Sequence, residues 1–320
     1  MRQAEGGPFD SERRLPPEVE RRLTEKFDLD QPEWIQFARY LGDLLPLDYE
    51  VRAERLAPPP GAAADETAPR WGPAQWRWRG FDAPDLGPSM KYKDKDVADI
   101  IAEGFPTSAI LGVSAILIAL LVGVSLGVMA ALRQNRAQDY AVMGFALVGV
   151  CLPPLVMGPI LSLLFGVELK WLPAGGLARD EFSIPHLFLP VLTLSLPQIA
   201  IVSRLMRASM IEAMRSNAIR TARAKGLPEL QVVLRHAMPI ALLPIVSYLG
   251  PAMAGVLTGS FVIEQVFQLP GIGRQFVIGA LQRDYTLVMG VVILYASLII
   301  LLNLAADLLY RVLDPRVRHA

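Results

Sequence analysis

Five long stretches without a single Lys, Arg, Asp or Glu limit what this chain can become: Ser108–Leu132, Tyr140–Val167, Ile184–Val202, Ala237–Ile263 and Tyr285–Ala306. A hydrocarbon core about 30 Å thick is crossed by roughly 20 mostly apolar residues of helix. Soluble helices do not stay uncharged over such lengths five times in succession. Backbone polar groups in lipid must be satisfied within the segment, which leaves the helix as the spanning element here. The sequence therefore predicts an all-α, polytopic transmembrane helical bundle with five spans over residues 108–306.

The connections set an orientation. Positive residues collect on the cytoplasmic side of a membrane protein. The connection 133–139 carries Arg133 and Arg136, and the tail 307–320 carries Arg311, Arg316 and Arg318. The connection 203–236 carries Arg204, Arg207, Arg215, Arg220, Arg223, Lys225 and Arg235. The alternate connections hold only Lys170 and Arg179, then Arg274 and Arg283. The basic loop 203–236 and the tail 307–320 are thus expected inside, and residues 1–107 outside. This outer segment is acidic, with 15 Lys/Arg against 21 Asp/Glu, so the formal net charge of zero conceals two unlike halves. No apolar helix precedes it to carry it across. The start, Met-Arg-Gln-Ala-Glu-Gly-Gly-Pro-Phe, reads as the exit from a helix, and the expectation is that a preceding span is absent from this sequence.

Within 1–107, residues 15–45 show two helical patterns opened by Pro17 and Pro32. Residues 46–88, rich in proline, are expected to be irregular. The stretch 97–105 is expected as an interfacial helix broken by Pro106. Gly123–Gly127 and Gly255–Gly259 have the four-residue spacing that lets helices approach closely. In the second span, Pro153, Pro154 and Pro159 remove backbone donors, so a kink or opening is expected there. A lined cavity tolerates such a break and lipid does not, which makes these prolines candidates for the translocation pathway. The one cysteine, Cys151, is expected as a small buried hydrophobe.

The basic loop has internal grammar. Leu205, Ala208, Ile211, Ala218, Ile219 and Ala222 recur at helical spacing among arginines; Gly226 supplies a stop and Pro228 a new start. A helix, a tight turn and a second helix follow. The spans contain no ionisable residue besides His186, which argues against coupling to a driving ion. His186, His236 and His319 are scattered, without the paired spacing of a metal site, and no Gly-rich Lys-Ser/Thr phosphate loop is present. No metal, cofactor, catalytic residue or nucleic-acid partner is indicated, and an enzyme is disfavoured.

The residues Ser216-Asn217-Ala218-Ile219-Arg220-Thr221-Ala222-Arg223-Ala224-Lys225-Gly226-Leu227, followed by Leu234-Arg235-His236-Ala237 and Leu243-Pro244, resemble the coupling loop of bacterial peptide ABC-transporter permeases. Ala222, Gly226 and Pro239 match the alanine, glycine and terminal proline of that motif. Arg220 stands where many sugar importers carry a glutamate, a departure shared by peptide-type permeases. The resemblance extends through Gly7-Pro8-Phe9, Leu15-Pro16-Pro17-Glu18, Gly87-Pro88-Ser89-Met90, Phe105-Pro106-Thr107-Ser108, Trp171-Leu172-Pro173, Leu269-Pro270-Gly271-Ile272-Gly273, Arg283-Asp284-Tyr285 and Leu313-Asp314-Pro315-Arg316, as in the oligopeptide-permease B-type subunit. It implies a non-enzymatic inner-membrane subunit importing oligopeptides or dipeptides, with residues 1–107 periplasmic. The partners implied are a second permease subunit, two ATP-binding subunits and a periplasmic substrate-binding protein. The coupling residues implied are Arg220, Thr221, Ala222, Arg223, Ala224, Lys225, Gly226, Leu227 and Pro228. The family has six spans, one more than this sequence, and a shorter excursion at about 46–84. Relatives also move nickel chelates and sugars; an ion-coupled carrier is the more distant alternative.

Overall fold

A computed structural model describes residues 31–44, 48–52, 55–56, 70–71, 75–80, 85–92, 95–176 and 184–313. The first helical pattern expected over 15–30 lies outside the described residues, as does the tail from residue 314. The described residues fall into two compact units, one within Met1–Ile100 together with Gly279–Gly290, the other within Ile101–Ile278 together with Val291–Ala320.

In the first unit, helix α1 (Glu33–Leu44) starts where the second pattern placed it. The Pro32 carbonyl accepts the backbone N–H groups of Ile35 and Gln36 at 3.0 and 3.1 Å. The stretch expected to be irregular over 46–88 instead contains four strands: β1 (Asp48–Arg52), β2 (Arg55–Leu56), β3 (Arg70–Trp71) and β4 (Gln75–Gly80). β1 pairs antiparallel with β4 and β2 with β3, a nested arrangement in which Tyr49 is opposite Trp78 and Arg55 opposite Trp71. None of the prolines of this stretch falls within a strand, where it would remove a ladder donor. The alternation Gln75-Trp76-Arg77-Trp78-Arg79 is itself a strand-type pattern. Further along, Asp284 is fully buried and caps the last helix, accepting from the Leu287 backbone N–H at 3.2 Å. The same carboxylate accepts from the Ser89 hydroxyl and the Met90 backbone N–H, and Thr286 Oγ1 donates to the Pro88 carbonyl at 2.8 Å. Two motifs of the resemblance, far apart in sequence, thus meet through one buried aspartate.

The remaining helices are α2 (Val97–Leu132), α3 (Ala137–Cys151), α4 (Pro154–Leu161, extended by a π-helical turn to Glu168), α5 (Ile184–Met214), α6 (Asn217–Ala224), α7 (Glu229–Val232), α8 (Met238–Ala241), α9 (Leu243–Val266), α10 (Ile272–Gln282) and α11 (Tyr285–Leu313). α2, α5, α9 and α11 are each long and apolar enough to cross a membrane, and α3 with α4 makes a fifth if that bent pair is one span. Among its described residues this membrane-crossing part contains helices and connecting turns and no strand. α2 runs through Pro106 without breaking, contrary to expectation. Ala102, whose carbonyl loses its partner, and Pro106 both lie on the exposed side of the helix, where the loss is tolerated.

The span 140–167 breaks as its prolines require. Each residue before a proline is driven from the α region; Leu152 and Pro153 are both extended, with ψ of 114° and 142°. The two halves meet at 103°. Cys151, expected to be buried, is exposed on α3. α5 runs through both apolar clusters of the second unit. One gathers Leu111, Leu189, Leu194, Ile263 and Phe267, the other Met206, Met210, Ile219, Val233 and Ile245. Gly123 and Gly127 seat α2 on α5: a methyl at Gly127 would lie 2.6 Å from the Ser203 carbonyl, and one at Gly123 would lie 2.9 Å from Val202 Cβ. A methyl at Gly255 meets no atom within 4 Å.

Candidate coupling site and the polar ties of the bundle

Helix α6 ends in a turn whose hydrogen bonds define it. Leu227 N donates to the Ala222 carbonyl at 3.4 Å and Gly226 N to the Arg223 carbonyl at 2.9 Å. This is the Schellman pattern, which places a left-handed residue just past the helix. Gly226 fills that place with φ of +75°, and a β-carbon there would meet no atom within 4 Å. Pro228 serves as the residue capping α7 rather than its first helical position, its carbonyl accepting from Gln231 and Val232. The second helix differs from the continuous one expected. It is a single α turn, followed by a π-helical turn at Val233–Ala237 and then α8. Pro239 accounts for this, because a proline clashes with the carbonyl four residues earlier, that of Arg235, and a wider turn relieves the clash.

The nine coupling residues of the sequence reading are contiguous on this turn. Ala222 is buried beside Ile219, and Leu227 packs half-buried on the same cluster as Met206 and Met210. Arg220, Thr221, Arg223, Ala224, Lys225, Gly226 and Pro228 are exposed. Arg223 bridges the turn to Glu229, with Nη2–Oε1 at 2.5 Å and Nε–Oε2 at 3.2 Å. The hydrogen bonds from Arg223 hold the Glu229 carboxyl below its ordinary value, and Glu229 in turn raises Arg223. The result is an exposed, cationic turn whose left-handed position carries no side chain. Pro153, Pro154 and Pro159 lie on a different part of the unit. Beside that break is a void of about 50 Å³ among residues including Phe145, Leu152, Pro154 and Leu196. A larger apolar cavity of about 330 Å³ sits between the π-turn after α4 and the start of α5, lined by Phe165, Trp171, Leu172, Phe188, Leu189 and Leu192.

The helices also contain charges that an uncharged-run criterion left out. α3 begins at Ala137 and so includes Asp139; α5 continues to Met214 and includes Arg204 and Arg207; α9 continues to Val266 and includes Glu264. Glu264 is 0% exposed. It accepts from the hydroxyls of Ser108 (2.7 Å) and Ser260 (2.9 Å) and from the Arg274 backbone N–H (3.1 Å). Ser108 Oγ also accepts from Ile272 N at 3.0 Å, tying α2 to the start of α10. Gly271 must be glycine beside it, since a β-carbon would lie 2.2 Å from Glu264 Oε2. Asp139 and Arg207 form a two-pronged pair at 2.5 and 2.6 Å. The statement that the spans hold no charge is therefore corrected: carboxylates are present, and Asp139 and Glu264 are held in structural hydrogen bonds. Ser260, one helical turn before Glu264, was the available signal. Among the described residues no group of three or more His, Cys, Asp and Glu is arranged to hold a metal.

Residues 123–319 match the family described as the binding-protein-dependent transport system inner membrane component. The chain belongs to this family. The match takes in the coupling turn, the proline break and every candidate span after α2. Along the whole chain, it is 44% identical over 319 residues to the oligopeptide transport system permease protein OppB of Salmonella typhimurium, covering 100% of this chain and 92% of that protein. It is 35% identical over 319 residues to the dipeptide transport system permease protein DppB of Bacillus subtilis, covering 99% and 90%. Among solved structures, an inward-facing conformation of the MetNI methionine ABC transporter superposes with a TM-score of 0.57 at 17% identity, covering 67% of this chain and 96% of that one. That likeness concerns the fold. The chain is a transport subunit of the multi-pass inner-membrane type, and its family implies a binding protein and an ATPase as partners.

Proposed function

We propose that this chain is the translocation subunit of a peptide importer, driven by ATP hydrolysis on a separate subunit that grips the turn 220–228. The observation that carries the reading is the coincidence of full-length likeness to peptide permeases with an exposed, cationic turn closed at Gly226. The positive charges put this turn and the tail 307–320 in the cytoplasm and residues 1–107 in the periplasm. A second permease subunit completes the conduit, two ATP-binding subunits engage the coupling turns, and a periplasmic binding protein delivers oligopeptides or dipeptides. Arg220, Arg223 and Lys225 offer charge to an acidic cleft on the ATPase. Ala222 and Leu227 root the turn in the bundle, the Thr221 hydroxyl donates back to the Asn217 carbonyl within α6, and Pro228 starts the return. Pro153, Pro154 and Pro159 mark the flexible part of the pathway.

Reconstitution of the full complex in liposomes tests this. ATP-dependent accumulation of peptides of two to about six residues is expected, with selectivity following the binding protein. Accumulation of nickel chelates or sugars in place of peptides refutes the substrate class, and uptake without the ATPase refutes the mechanism.

A further inference from the structure

Helix α3 packs on α5 along one narrow face. Its buried residues are Asp139, Val142 and Ala146, and with Gly149 they form one stripe at helical spacing. Tyr140, Phe145, Leu147, Val148 and Val150 are all exposed. At the far end of the stripe the grip is steric: a methyl at Gly149 would lie 3.1 Å from the Leu196 carbonyl and 3.2 Å from Ala200 Cβ, both on α5. At the near end it is the pair with Arg207, which is also on α5. Leu196, Ala200, Ser203 and Arg207 repeat the same three- and four-residue spacing in the opposite direction. A stripe of small apolar contacts lets one helix roll on another, because dispersion is not directional. A guanidinium that meets both carboxylate oxygens fixes position and rotation together. Asp139 further accepts from the Asn135 backbone N–H at 2.9 Å, which anchors the turn before α3.

The pair lies between the coupling turn and the proline break. Met206, next to Arg207, and Met210, about one turn on, share a cluster with Ile219 and Ala222 beneath the coupling turn. At the other end of α3 lies the 103° break at Leu152–Pro153. We propose that Asp139 and Arg207 are a positioning pair that locks α3 to α5, so that displacement of the coupling turn reaches the proline break. This rests on the coupling reading above. Without the lock α3 rolls on α5, ATP is still hydrolysed, and the stroke is lost before it reaches the pathway.

The test uses the complete complex in liposomes, scoring ATP hydrolysed per peptide accumulated. Asp139→Asn and Arg207→Gln are each expected to raise that ratio on the order of tenfold. The double variant is expected to be no worse than either, as for residues acting as a unit. In a Cys151→Ser background, Asp139→Cys with Arg207→Cys is expected to uncouple likewise and to recover when a short thiol crosslinker joins the pair. That recovery separates positioning from a loss of folding. An unchanged ratio in the single variants overturns the proposal, and so does a crosslinked pair that stays uncoupled, even where the single variants fail to assemble. Gly226→Trp is measured alongside. If it transports normally, the coupling reading fails; if it blocks transport while Asp139→Asn leaves the ratio unchanged, only the pair proposal fails.

Discussion

Substitution at Gly226 separates what the turn needs for itself from what it needs for a partner. An L-residue at φ of +75° costs about 1 kcal/mol against glycine, chiefly through the β-carbon and the following carbonyl. A β-carbon there meets nothing within 4 Å, so no packing term is added within the chain. About 1 kcal/mol corresponds to a roughly fivefold change in the population of the closed turn. Asparagine, which tolerates the left-handed region, should cost less. Tryptophan should cost the isolated subunit about what alanine does, because its ring extends into open space. Uptake of a radiolabelled oligopeptide and co-purification of the ATPase are the readouts, normalised to subunit abundance and melting temperature. The expected order is Asn at or above Ala, with Trp abolishing both. If Trp matches Ala in uptake and in ATPase retention, nothing docks on this tip and the reasoning is refuted.

Replacing Glu264 by Ala takes this acceptor from the buried Ser108 hydroxyl and the half-buried Arg274 N–H, while Ser260 can turn to the Leu257 carbonyl, a loss of about 2 kcal/mol or more that a melting curve of the purified complex will register; Gln, which keeps one acceptor oxygen, should lose about half as much, and an unshifted Ala variant would contradict the clamp. The Arg223–Glu229 bridge has a defined pH dependence. Because Glu229 is held below its ordinary value, the bridge contributes fully above the normal glutamate range and is lost as pH falls through the depressed value. Hydrogen-exchange protection at Gly226 and Leu227, corrected for intrinsic rates, should be flat from neutrality down to about pH 5 and fall below it. The change should be small because the pair is exposed, and protection that grows on acidification would refute it.

The apolar architecture was legible because lipid imposes one rule, an uncharged run of sufficient length, and α2, α5, α9 and α11 obey it. The break at Pro153–Pro154 and the stop at Gly226 were legible because proline and glycine act through the local backbone. The strand pairs β1–β4 and β2–β3 were hidden, since their partners are separated by proline-rich chain and only the Trp-Arg alternation hinted at them. Asp139, Arg207 and Glu264 were missed for a physical reason: a charge ends an apolar run on paper, whereas in the fold hydrogen bonds let the helix continue past it. Ser89 and Asp284, or Ser108 and Ile272, sit in motifs that resemblance flagged, but only the structure shows what each motif holds.

The seat of α2 on α5 has a practical bearing on experiments that seek to separate subunits. Gly123 and Gly127 are already occupied by this chain's own helix, so bulk introduced there spoils the protomer before it touches any neighbour. Substitutions meant to block assembly alone belong on faces with vacant room, such as Gly144, where an added methyl encounters no atom within 4 Å.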